Sequence, residues 1–173
     1  MDQIQLDNAG LRIFFLKHLN HLCSAKAHVL KRFPEIAAET HFPDLKYAIQ
    51  ETRDNVEKQV ARMESIFLLL NDDLKVRGSD AMKGVFESAF AAIQLREPDP
   101  AQKDMSILFY MQLIEGIEMA SFQVLQMTAV KLKNGDITQL LKENYDEAKE
   151  DRDLMLMIAA KYLTGIPHSK HVT

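Results

Sequence analysis

Two glutamates, Glu115 and Glu118, stand three residues apart inside the apolar stretch QLIEGIEMASFQ, from Gln112 to Gln123. Leu108, Met111, Glu115, Glu118, Phe122 and Leu125 recur at alternating spacings of three and four. That repeat turns one face of a helix toward its neighbours in a bundle, so both carboxylates are expected to point inward. A carboxylate buried away from water is unfavourable unless a cation, a proton or a set of donors compensates it. The chemistry therefore depends on what stands opposite.

Lys26 is one candidate. It lies between Leu22 and Val29 on a seam that continues through Phe15, Leu19, Phe33 and Ile36, where a lysine is rarely found without a partner. Glu147 and Asp151 sit four apart beside the line Leu141, Ala148, Met155, Tyr162, and Glu51 and Asn55 hold the matching flank beside Ile49 and Val56. All these groups are expected to converge on one layer. Two chemistries would use it. In the first, Glu51, Glu115, Glu118, Glu147 and Asp151 hold a dinuclear iron or manganese centre with Lys26 swung aside. The usual bundle pattern for such a centre takes a Glu from each of two helices and Glu-x-x-His from the other two, and no histidine stands in this layer. In the second, the Lys26 ammonium replaces the metal charge and pairs with Glu115, Glu118 or both. A cation aimed into a metal cage opposes a second cation, which favours the second chemistry and no metal cofactor. One lysine among several carboxylates also leaves excess negative charge, so one acid is expected to hold a proton.

The elements that position these groups are all helical. Six glycines and five prolines are few, and they cluster where helical periodicity stops. Helices are expected over about 8–38, with Pro34 kinking the last turns, and over 43–72, opening on Pro43 with Ile49, Val56, Val60, Met63, Phe67 and Leu70 inward. A short helix over about 80–94, capped by Ser79, sits in a crossover. Long helices follow over 100–133, with Asp99 capping and Gln102 reaching back, and over 137–164, with Asp136 and Gln139 as the capping pair; residues 165–173 read as a loose tail. Short links near Thr40 and Gly135 force antiparallel neighbours, and the long crossover lets the second and third long helices run the same way. The result is an all-α, up-down-down-up four-helix bundle in a single domain, residues 1–173, with a short crossover helix. This is the ferritin-like arrangement.

Composition bounds the function. A chain of 173 residues, 47% apolar and 27% charged with net charge −4, suits one sizeable core and presents no basic face for nucleic acid. The N-terminus lacks a signal-peptide pattern, and the longest apolar run, Leu154 to Ala160, is too short to span a bilayer. With Cys23 the single cysteine, a cytoplasmic protein without membrane association is expected. No phosphate loop, Ser-His-Asp set or Cys-His pair can be assembled, which argues against catalysis. His18 and His21 lack an acidic neighbour at helical spacing; His168 and His171 repeat the spacing in the tail. Cys23 and the methionines read as core packing. Phe86, Phe90 and Ile93 of the crossover helix, with Phe109 and Tyr110, fit either a dimer surface or packing on their own bundle.

The stretches CSAKAHVLKRFPEIA, AIQETRDNVEKQVARM, LIEGIEMASFQVL and ENYDEAKEDRDLM, in this order around a crossover, resemble the YciE/YciF-like branch of the ferritin-like superfamily over about residues 15–158. The resemblance implies a four-helix bundle, a homodimer, an association with stress and a candidate dinuclear metal site whose acidic positions match Glu51, Glu115, Glu118 and Glu147. Lys26 stands where relatives carry a glutamate, and Ala48 and Gly116 stand where they carry histidines. The expectation is a divergent, non-catalytic member whose metal layer has become a Lys26–Glu115/Glu118 network, with no further partner identifiable.

Overall fold

Pro34 decides how the first long segment folds in the computed structural model, which describes residues 6–72, 80–94 and 97–165. The chain forms α1 (Asn8–Leu30), α2 (Phe33–Glu39), α3 (Pro43–Leu69), α4 (Asp80–Ile93), α5 (Pro100–Lys131) and α6 (Gly135–Thr164). The expected single helix over 8–38 is thus two. Pro34 has no N–H for the Leu30 carbonyl and its ring would clash with that carbonyl, so the α1 ladder ends at Leu30 and Pro34 enters the first turn of α2.

The turn between α5 and α6 also differs from expectation. Asn134, not Asp136, caps α6: its Oδ1 accepts from the Ile137 N–H at 3.1 Å. Lys133 makes the turn with φ at 56°, Asp136 sits in the first helical turn, and Gln139 donates to Glu143 at 3.0 Å. Asp99 caps α5 as expected, accepting from the Ala101 N–H at 3.1 Å. The proposed Ser79 cap and the tail beyond Gly165 lie outside the described residues.

Two apolar clusters fix the helix directions. One joins Phe15, Leu19, Met63, Phe67, Phe122, Leu125, Ile137 and Leu141. The other joins Val29, Leu45, Ile49, Ile107, Met111, Met155 and Ile158. Sequence numbers rise from the first cluster to the second along α1 and α6 and fall along α3 and α5, which is up, down, down, up. The fold is therefore a ferritin-like four-helix bundle with α4 in its crossover. Phe86, Phe90 and Ile93 are buried in the second cluster, so α4 packs on its own bundle and those three side chains form no outer surface. Val60 on α3 and Leu70 at its C-cap are half-buried, and Thr52 and Gln59 of α3 take fully buried positions; Tyr162 on α6 is likewise half-buried, stacked on Phe42 at 3.6 Å.

Candidate functional site

Between the two apolar clusters lies a polar layer to which four helices contribute. On α1, Leu22, Lys26 and Val29 share one buried face, and the Lys26 ammonium donates to Glu118 Oε2 of α5 with both side chains 0% exposed. The same ammonium lies 5.8 Å from the centroid of the Phe122 ring, whose π face adds some cation stabilisation. Glu115 stands one turn earlier on α5 and is also buried. Burial foremost, then the Glu118 charge, drive its pKa well above the usual carboxylate range; Lys26 opposes them, and Asp151 and a hydrogen bond with Glu118 add to the rise. Its surroundings therefore favour the protonated form of Glu115.

Asp151 enters from α6. It is buried, accepts from Asn55 Nδ2 at 2.9 Å, and titrates at about 6. Burial is the main cause, Glu118 and Glu51 push the same way, and the Asn55 hydrogen bond and Lys26 oppose it. Thr52 Oγ1, Gln59 Oε1, Glu115 Oε2, Glu118 Oε1 and Asp151 Oδ2 are buried without a hydrogen-bond partner in the protein. The layer thus holds more buried acceptor oxygens than its ammonium binds, and for Glu115 and Asp151 this burial without a donor favours the protonated form.

The five carboxylates expected to converge divide into three groups. Glu115, Glu118 and Asp151 share the buried layer. Glu147 is turned to the flank, where Arg62 of α3 grips it through two hydrogen bonds of 2.7 and 2.8 Å. Arg62 also reaches Glu143 at 3.1 Å and Asn144 Oδ1 at 3.2 Å, and the Glu147 and Glu143 contacts raise its pKa against burial. Glu51 lies exposed on α3 and touches the layer only through its field at Asp151. Among the described residues, no group of three or more His, Cys, Asp or Glu is arranged to hold a metal ion.

Arg62 was not anticipated from sequence, although its spacing of three from Gln59 places it beside the seam, opposite the Glu143 and Glu147 pair. Asp104 was missed as well. It is fully buried on α5 and accepts from the His41 N–H at 2.8 Å, from the Phe42 N–H, and from His41 Nδ1 at 3.3 Å, closing the start of α3. The rings of His18 and His21 lie 5.8 Å apart, and burial followed by neighbouring positive charge lowers both pKa values. Cys23 is buried, and burial pushes its thiol up to about 11, leaving it inert at neutral pH.

An up-down-down-up bundle whose two antiparallel hairpins are joined by one long crossover defines the ferritin-like class. The chain belongs to the family described as a domain of unknown function, DUF892, which matches residues 10–164. Two solved structures share its fold. The E. coli stress protein YciF is 22% identical, with 90% of this chain and 98% of that one covered and a TM-score of 0.83. YcfI from Rhodopseudomonas palustris is 21% identical, with 90% and 96% covered and a TM-score of 0.78. No curated protein matches the chain. The YciF-like reading of the sequence holds, and no helix among the described residues is long and apolar enough to cross a membrane.

Proposed function

We propose that this protein is a non-catalytic ferritin-like bundle, cytoplasmic and stress-related, in which a buried Lys-Glu network stands where a dinuclear metal layer would otherwise lie. The Lys26 ammonium bound to Glu118 inside the bundle carries this reading. A dinuclear centre needs four to six oxygen or nitrogen ligands around two divalent ions. Here a fixed cation holds one acid of the layer, Arg62 holds Glu147 on the flank, Glu51 is exposed, and no histidine stands nearby. The residues as placed do not fit that group. The stress association is supported by the likeness to YciF. With no assembled catalytic set, the protein would act through its surface, as a homodimer.

The competing reading is a di-iron or di-manganese carboxylate protein with oxidase or metal-binding activity. The unpaired oxygens of Glu115, Glu118 and Asp151 in one layer favour it. Elemental analysis separates the two. Untagged protein is incubated with ferrous iron or manganese, freed of excess ion and measured. The network reading expects no stoichiometric metal; near two equivalents per chain would overturn it.

A further inference from the structure

From Met105 to Val130, α5 contains two charged residues, Glu115 and Glu118, and both are buried. The outward side of the helix is therefore uncharged over 26 residues, about 39 Å at 1.5 Å per residue. Along it Phe109, Leu113, Ala120, Val124 and Met127 are exposed, and a Cβ added at Gly116 would meet open space. Phe109 is 58% and Met127 71% exposed. Single exposed apolar residues are ordinary, but an uninterrupted uncharged face of this length marks an interaction surface. Beside its Ala120 and Val124 edge runs a groove of about 420 Å³, closed on the other side by Phe14 and His18 of α1 and Met82 of α4.

We propose that this face pairs with the same face of a second copy, antiparallel, about a twofold axis passing near residue 118. The inference rests on the homodimer reading above and assigns its interface. The pattern of residue sizes carries it. An isologous contact needs a patch complementary to itself. About residue 118, Phe109 falls opposite Met127, Leu113 opposite Gln123 and Val124, and Gly116 opposite Ala120. The two smallest residues then meet where the helix backbones cross, and the large ones close the ends, with the partner's Leu113 directed toward the groove at Val124. A partner of opposite charge would find nothing to pair with along this strip. The strip is about 39 Å by a helix width of about 10 Å, near 400 Å². The groove and the half-exposed Val85 on α4 extend it toward the ~800 Å² per partner of a standard interface.

Sedimentation velocity on the untagged full chain, with Ala120→Glu alongside, tests the proposal. The wild type is expected at twice the chain mass of 19.8 kDa. Ala120→Glu, which sets two carboxylates beside the axis, is expected at one chain mass with unchanged helicity by circular dichroism. Co-expressed Gly116→Cys and Ala120→Cys chains should cross-link on mild oxidation several-fold more than either variant alone; buried Cys23 does not compete. A monomeric wild type overturns both this inference and the homodimer reading. A dimer that survives Ala120→Glu, or cross-linking no greater in the mixture than in the single variants, overturns the assigned face and leaves the homodimer reading intact.

Discussion

Lys26 and Glu118 lie 92 residues apart in sequence and meet where neither side chain touches water. Removing one partner of such a pair strands the other charge, whereas replacing both removes the electrostatic demand altogether. Lys26→Met is therefore expected to destabilise the fold by ~3 kcal/mol in urea titrations followed by circular dichroism. The double variant Lys26→Met/Glu118→Gln should lose less than the single one. An unchanged midpoint for Lys26→Met would show that the pair contributes nothing to the fold.

Asp151 supplies a pH dependence whose sign follows from its raised pKa. Its folded-state value of about 6 lies above the ordinary aspartate range. Its contribution is therefore fully present below that range and is lost as pH rises through 6. Asp151→Asn keeps an acceptor for Asn55 and removes the buried charge. It should match the wild type near pH 4 and exceed its stability at pH 7 by roughly 2 kcal/mol. Glu115, also raised, acts in the same direction in both proteins. Denaturation curves at pH 4, 6 and 7.5 decide the matter, and parallel pH profiles for the two proteins would contradict the assignment.

The start of α6 allows a comparison of two neighbouring residues. Asn134→Ala should cost about 1 kcal/mol, because the Ile137 N–H loses its acceptor. Asp136→Ala removes only a first-turn charge and should cost no more than about 0.5 kcal/mol. The opposite ranking in thermal melts would return the cap to Asp136.

Asp104 closes the start of α3 from inside the protein. Asp104→Ala leaves the His41 and Phe42 N–H groups without their acceptor and should cost on the order of 2–3 kcal/mol, the scale for unsatisfied buried donors. Asp104→Asn retains one acceptor oxygen and should lose less. Equal melting temperatures for the alanine variant and the wild type would show that water replaces the carboxylate there.

The long helices and the inward placement of Lys26, Glu115 and Glu118 were legible in the sequence because each rests on a local repeat of three and four, and the helix directions were legible because the lengths of the links set them. Flank residues were not. Glu51, Glu147 and Asp151 occupy similar sequence surroundings, yet successive helix positions rotate by about 100°, so small differences in helix orientation send one inward, one to Arg62 and one to solvent. Arg62 meets a carboxylate 85 residues away and Asp104 meets backbone 63 residues away, and no local pattern encodes either pairing. Phe86, Phe90 and Ile93 illustrate the same limit. An amphipathic crossover helix has the same sequence whether its apolar side meets its own bundle or a second chain.

The polar layer has a further consequence for how the helices are aligned along the bundle. Apolar side chains of similar size tolerate a helix displaced by one turn, since Leu, Val and Phe positions recur at the same spacing. The layer does not tolerate it. Moving α1 by one turn would put Leu22 or Val29 against Glu118 and lodge the Lys26 ammonium among the apolar residues of either cluster, an arrangement penalised by an uncompensated buried charge on each side. A single lysine thus acts as a vernier mark for the bundle: it distinguishes one axial alignment of α1 and α5 from the neighbouring ones that apolar packing alone would leave close in energy.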